Sequence, residues 1–274
     1  VVKYNGTTWA ALGVNDLATI SGFGDVSLAV DRATNTPYVA TDGGLTYNNQ
    51  AVVKKYTGSQ WVFVGTAGFT NATAGVFYPD LIIDSSGNPV LAIQEDAGRE
   101  QTSVYKFNGS SWQSIGNSFF SPGHTHFSSA AVDKDGTPSI FFSDNGFNDL
   151  GTAMRYNNTT QQWAVLGSRG FAKGLSFTSN GISIINHMPY VAFADTSNGG
   201  RVTVMYYAAA GVSISKNTSD TICKGTNVTF TATLTNTSGT PAYQWKRNNA
   251  NAGINSPVYA TSALNNNDSV YCIV

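Results

Sequence analysis

The feature that most constrains the fold is a tryptophan followed four residues later by a glycine, met four times as Trp9 and Gly13, Trp61 and Gly65, Trp112 and Gly116, Trp163 and Gly167. Prolines keep step with it as Pro37, Pro89, Pro138 and Pro189, so the chain runs on a period of 49 to 52 residues. An aromatic stands five residues before the first three tryptophans (Tyr4, Tyr56, Phe107), and Tyr156 stands seven before the fourth. The intervals in the first three read "NGTT", "TGSQ" and "NGSS". An Asn-Gly pair between alternating residues favours a tight hairpin, because a type I′ turn needs positive φ at both central positions. Each repeat therefore closes on a hairpin.

A second hairpin precedes that one. "DLIIDSSGNPVLAI" and "AAVDKDGTPSIFF" each give an apolar run, a turn and another apolar run. Proline opens the second strand, where a missing N–H is tolerated. The repeat is thus four antiparallel strands in about 50 residues, and such a sheet alone would leave apolar side chains on both faces. Tandem sheets covering one another predict a β-propeller, with the tryptophans filling equivalent gaps between blades. The first repeat begins at its third strand and the last ends after its third, at Tyr207, which predicts an incomplete ring cropped on its N-terminal side. The pattern D-x-x-G-x-P … W-x-x-[LVI]-G resembles the propeller repeats of secreted bacterial proteins, similar in plan to kelch-type and lectin-type propellers, over residues 1–208. That resemblance implies a fold and carries no catalytic motif.

Near Val212 the composition changes. "NVTFTATL" alternates with period two, as a sandwich strand does. Cys223, "YQW" at 243–245 and "DSVYC" ending at Cys272 then set a Cys, Trp, Cys spacing. A cysteine pair flanking a tryptophan in a β-rich segment reads as an inter-sheet disulfide packed on an indole, stabilising by roughly 4 kcal/mol. Two reduced core cysteines are the other reading. The stretch resembles the Ig-like repeats of large exported and surface proteins of environmental bacteria. It departs from them at Val270, where a corner tyrosine usually sits, and in lacking a last strand. The expected chain is therefore all-β, with four-stranded propeller blades over 1–210 and an incomplete Ig-like β-sandwich over 211–274, part of a longer secreted or cell-surface bacterial protein.

Composition excludes some partners. Charged residues are 11% of the chain and the net charge is −1, without the basic clusters that nucleic acid or anionic membrane requires. No apolar run is long enough to insert in a bilayer.

The loops entering each first strand and leaving each second strand are the longer, more varied ones, and binding surfaces are commonly built from such loops. Just after the second strands an acid recurs as Asp42, Glu95 with Asp96, Asp144 and Asp195. Convergent carboxylates at a channel mouth could hold a hard cation such as calcium or accept hydrogen bonds from sugar hydroxyls. Aspartate also ends strands by bonding its own backbone. No other cofactor is expected. Tyr78 and Phe127 lie in the same loops as Phe69, Phe77, Phe119, Phe120 and Phe171, beside His124 and His126. Rings beside polar groups suit a glycan site, although loop aromatics also plug gaps between blades. The two histidines share one side of an extended segment, a spacing able to chelate a transition metal. "DKDG" at 133–136 is a turn between first and second strands, with His187 on the same rim. The stems of Lys3, Lys55, Lys106 and Arg155 are expected to run along blade faces.

The glutamates are Glu95 and Glu100, and no Asp-box run of the sialidase kind is present. The favoured reading is a non-catalytic extracellular binding or adhesion module that takes a glycan or cell-surface ligand on the loop-bearing rim. A polysaccharide-processing enzyme using the ring carboxylates, and a purely structural scaffold, are the alternatives.

Overall fold

The computed structural model describes residues 1–13, 25–173, 175–237 and 240–274, with the backbone alone for 175–179. They form two compact units, Val1–Tyr207 and Ala208–Val274.

The first unit is a succession of antiparallel sheets, each meandering from its first strand to its last. Sheet I pairs β1 (Val2–Tyr4) with β2 (Trp9–Ala11). Sheet II holds β3 (Val26–Asp31), β4 (Thr36–Asp42), β5 (Ala51–Tyr56) and β6 (Trp61–Phe63). Sheet III holds β7 (Gly75–Ile83), β8 (Pro89–Asp96), β9 (Gln101–Phe107) and β10 (Trp112–Ser114). Sheet IV holds β11 (Thr125–Val132), β12 (Pro138–Asp144), β13 (Leu150–Asn157) and β14 (Gln162–Val165). Sheet V holds β15 (Leu175–Ile185), β16 (Met188–Asp195) and β17 (Arg201–Tyr206). The first strands of successive sheets lie side by side, β3 against β7, β7 against β11 and β11 against β15. Sheets gathered at their first strands are the propeller plan.

Side-chain alternation explains how one strand serves two neighbours. On β8, Leu91 and Ile93 face sheet II, while Val90 and Ala92 face sheet IV. On β12, Ile140 and Phe142 face sheet III, while Phe141 faces sheet V. The first strands are stitched by side chains at one repeating position. The Leu81 N–H donates to Ser27 Oγ at 2.9 Å, the Ala130 N–H to Asp80 Oδ2 at 2.7 Å and the Ile182 N–H to Ser129 Oγ at 3.4 Å.

Three of the four repeated tryptophans, Trp61, Trp112 and Trp163, occupy equivalent gaps as expected, while Trp9 is exposed and meets only Tyr4 of its own hairpin among the rings. The indole N–H of Trp61 donates to Leu12 O, that of Trp112 to Val64 O and that of Trp163 to Ile115 O, each acceptor three residues past the preceding tryptophan. Trp112 lies flat on Phe69 at 4.4 Å and Trp163 flat on Phe120 at 4.2 Å, so these loop phenylalanines are plugs. The following glycine has φ near +70°, and the next sheet's rings lie directly over it. A Cβ at Gly65 would stand 2.8 Å from Phe107 and 3.1 Å from Trp112. That contact is the reason for the four-residue spacing.

In the second unit, sheet VI joins β18 (Gly211–Lys216), β19 (Val228–Thr235) and β22 (Val258–Thr261). Sheet VII joins β20 (Gln244–Arg247), β21 (Ala250–Ala252) and β23 (Val270–Ile273). Trp245 is fully buried among Ala232, Cys272, Phe230 and Tyr259, and its indole N–H donates to Ser256 O at 2.9 Å. The expected disulfide is not formed, since both cysteines are free. Cys272 is buried beside Trp245, its partner across the strands. Cys223 is exposed in a turn closed by the Thr226 N–H on its carbonyl, outside β19, which starts only at Val228.

Candidate functional site

The recurring carboxylates do not assemble into a ring of open ligands. Asp42 and Asp96 each accept the backbone N–H two residues on, from Gly44 at 2.5 Å and Gly98 at 2.7 Å. Asp195 accepts that of Ser197 at 2.9 Å and the Thr203 hydroxyl at 3.0 Å. These are turn-closing contacts. Glu95 and Asp144 are fully buried. Glu95 takes the Asn71 N–H at 2.6 Å and the Tyr105 hydroxyl at 3.0 Å. Burial raises the Glu95 carboxyl, against bonds from Ser103, Asn71 and Tyr105 that lower it. Burial and the Glu95 charge push the Tyr105 phenol up to about 12, which keeps it a donor. Asp144 is clamped by Arg169 Nε and Nη2, at 2.9 and 2.8 Å, and by the Thr152 hydroxyl at 3.0 Å. Strand parity separates the acids further: Asp42 shares its face with Tyr38 and Ala40 and Glu95 with Leu91 and Ile93 in the gap between sheets II and III, while Asp144 shares the face of Ile140 and Phe142.

Tyr78 and Phe127 are brought together. Each sits at an extra residue in a first strand, where the pairing slips between Phe77 and Asp80 on β7 and between His126 and Ser129 on β11. Both have φ of +49°, a left-handed conformation that is a marked outlier for a bulky side chain. The rings meet at 4.6 Å with planes tilted by 44°. The Tyr78 N–H donates to Asp25 Oδ2 at 2.9 Å, and Ser128 Oγ reaches Tyr78 O at 3.5 Å. Burial, with the nearby charges of Asp25 and Glu100, pushes the Tyr78 phenol up, so it is a hydroxyl donor throughout the neutral range.

Polar groups border the rings. The His126 ring lies 6.4 Å from that of Phe127. His124 Nδ1 stands 3.6 Å from Glu100 Oε2, and both side chains are about half exposed. Glu100 is itself in a left-handed turn, held by Gln94 Nε2 and the Thr125 N–H on its carbonyl at 3.2 and 3.0 Å. Sequence reasoning named Tyr78, Phe127, His124 and His126 for this rim and left Glu100 without a role; one turn residue carries no local signal of what will face it.

On the opposite rim two turn aspartates are paired with cations. Lys106 Nζ pairs with Asp84 at 2.7 Å and Arg155 Nη2 with Asp133 at 2.8 Å, so these two stems end on turn aspartates. His187 Nδ1 crosses from the turn of sheet V to Asp133 Oδ2 at 2.6 Å. Among the described residues, Asp133, Asp135 and His187 are the one trio with potential metal-ligand atoms within 4.8 Å of one another. The Arg155 guanidinium already supplies the positive charge there. His124, His126 and the acids after the second strands belong to no such trio among the described residues.

No protein-family model matches the chain, and no curated protein matches it. Among solved structures, the Hadza microbial sialidase Hz136 superposes with a TM-score of 0.46 at 13% identity, over 83% of this chain and 47% of the sialidase. The fucose-specific lectin from Aleuria aurantia gives 0.46 at 10% identity, over 76% of this chain and 70% of the lectin. The endo-arabinase from Bacteroides thetaiotaomicron VPI-5482 gives 0.42 at 14% identity, over 89% and 95%. The chain thus spans about half the length of the sialidase. Among the described residues no helix is long and apolar enough to cross a membrane.

Proposed function

We propose that the chain is a non-catalytic glycan-binding module of an extracellular protein, with its site at the Tyr78 and Phe127 pair. The observation that carries this reading is the strained pair itself. Two bulky residues are held in the left-handed region at equivalent bulges, with their rings in contact on the loop-bearing rim. Such strain costs on the order of 1–3 kcal/mol per residue and collects at ligand-binding positions. The ring faces suit the C–H face of a pyranose, while the Tyr78 hydroxyl, His124 and the Glu100 carboxylate offer donors and acceptors for sugar hydroxyls. Glu95 and Asp144, buried and fully engaged, do not form the open carboxylate pair that glycoside hydrolysis requires.

Retention of the intact chain on a panel of immobilised polysaccharides tests the reading. Phe127→Gly removes a ring and suits the left-handed backbone, so it should weaken retention at least tenfold without lowering the unfolding midpoint. Failure of the unaltered chain to bind any glycan, or binding unchanged in Phe127→Gly, overturns it. Release of reducing sugar from a retained polysaccharide would contradict the non-catalytic part.

A further inference from the structure

Groups from three successive sheets meet at the strained ring pair. Asp25, the residue before β3, reaches from sheet II and accepts the Tyr78 N–H at 2.9 Å. Glu100, in the turn before β9 of sheet III, stands with Oε2 3.6 Å from Nδ1 of His124, which precedes β11 in sheet IV. The charges of both acids act on the Tyr78 phenol. Asp84, Asp133 and Asp144 each hold a lysine or an arginine, whereas among the described residues Asp25 and Glu100 hold neither. Arg169, on the same rim, is engaged by Asp144 and the Phe147 ring. The rings therefore stand beside two carboxylates without a fixed cation.

The ring geometry suits a positive ligand group. Flat stacks such as Phe69 on Trp112 and Phe120 on Trp163, tilted by 5° and 4°, cover a face of each partner. Tyr78 and Phe127 are tilted by 44° and only partly buried, so ring face stays uncovered. An aromatic face is negative and attracts a cation. The molecule uses that attraction elsewhere, with Lys54 Nζ 4.5 Å over the Phe63 ring and the Arg169 guanidinium carbon 4.3 Å over that of Phe147. We propose that the glycan bound at this rim is an amino sugar with a free amine, its ammonium lying over Tyr78 and Phe127 with Glu100 and Asp25 as counter-charges.

The assignment rests on the glycan-binding function proposed above and narrows it by charge. A uronic or sialic acid would bring a third carboxylate to Glu100 and Asp25, a like-charge contact that opposes binding. A neutral sugar offers these acids hydroxyl bonds alone, about half as strong as bonds from a charged donor. N-acetylation of the amine removes the charge, and with it both the ring and the carboxylate attraction. Free and acetylated amino sugars should therefore differ here although their pyranose faces are alike.

Calorimetric titration of the full chain with oligomers of glucosamine, N-acetylglucosamine and glucose, equal in length and linkage, tests this, since they differ only in the substituent at C2. The glucosamine oligomer should bind about tenfold more tightly than either of the others, and the advantage should shrink as salt is raised. Glu100→Gln keeps the shape of the side chain and Asp25→Asn keeps an acceptor for the Tyr78 N–H, so each should reduce the advantage with the unfolding midpoint unchanged. Asp220→Asn, at an exposed acid of the second unit, should leave it intact and controls for unspecific charge attraction. Equal affinity for the three oligomers, or a preference for an uncharged one, overturns the amine assignment and leaves glycan binding standing. A preference for glucosamine that survives Glu100→Gln and Asp25→Asn in one chain puts the ammonium elsewhere and also overturns it. Absence of binding to all three overturns it too, and the polysaccharide panel then decides whether the wider function falls with it.

Discussion

Trp112 and Trp9 belong to the same motif, each opposite an aromatic across a hairpin and each followed four residues later by glycine, yet one is 8% exposed and the other 69%. Trp112 stacks on Phe69 and bonds to Val64 because sheet II stands beside it. Trp9 has no sheet of that kind against it among the described residues. The motif is therefore half of an interface, and its stabilisation resides in the neighbour. Burial of an indole on a packed face is worth several kcal/mol, whereas the same residue on an open edge contributes little.

The sharpest way to break this comparison is truncation at both sites. Trp112→Ala should cost about 3–5 kcal/mol, and Trp9→Ala under about 0.5 kcal/mol. Both are read from urea denaturation, and equal losses would show that the motif stabilises its own hairpin. Next in size is the glycine beneath the rings. Gly65→Ala sets a Cβ 2.8 Å from Phe107 at a left-handed φ, while at Gly167 the nearest atom is 3.8 Å away. The first should lose about 2–3 kcal/mol and the second about 1 kcal/mol, the backbone term alone.

A smaller effect concerns the charges that lock the inner sheets at the opposite rim. Burial alone would raise the Asp133 carboxyl, but the bonds from Arg155, the Lys134 N–H and His187 outweigh it and hold the group below its usual range. A group depressed in the fold contributes stability that is complete above its unfolded value, near about 4, and is lost as pH falls through the lower folded value. Asp133→Asn should therefore flatten the acid limb of a pH series of unfolding midpoints, and an unaltered limb would mean that the ion pair adds nothing. The smallest change is expected at Asp80, which stands where the adjoining sheets carry Ser27 and Ser129 and makes the same bond to the next strand. Burial raises its carboxyl, against bonds from Ala130 and Ser129 that lower it. Asp80→Ser keeps an acceptor and removes the buried charge, so stability at neutral pH should move by less than about 1 kcal/mol. A larger loss would show that the carboxylate has a role beyond the strand contact.

Much of the architecture was legible because it is written locally. Asn-Gly turns, prolines opening second strands and the apolar runs "VLAI" and "SIFF" each specify their own few residues, and their recurrence marks the sheets. The site was half legible. Tyr78 and Phe127 stood out as loop aromatics, but their bulges, their contact and the approach of Glu100 depend on how β7, β11 and the turn before β9 are set against each other. The acids took the turn-closing role that aspartate offers at Asp42, Asp96 and Asp195, and one difference among them is present in the chain. Asp42 lies five residues past its proline and Glu95, Asp144 and Asp195 lie six past theirs, which reverses the face. The Arg169 clamp on Asp144, 25 residues away, had no such trace.

Repetition and strand alternation are nearest-neighbour properties of a polypeptide, so the order of residues is enough to specify hairpins, sheets and their stacking. Which indole is covered, which carboxylate is clamped and which pair of rings is left strained on a rim was decided by packing between segments some fifty residues apart. Those contacts depend on the distance between sheets, and no local run of side chains encodes that distance.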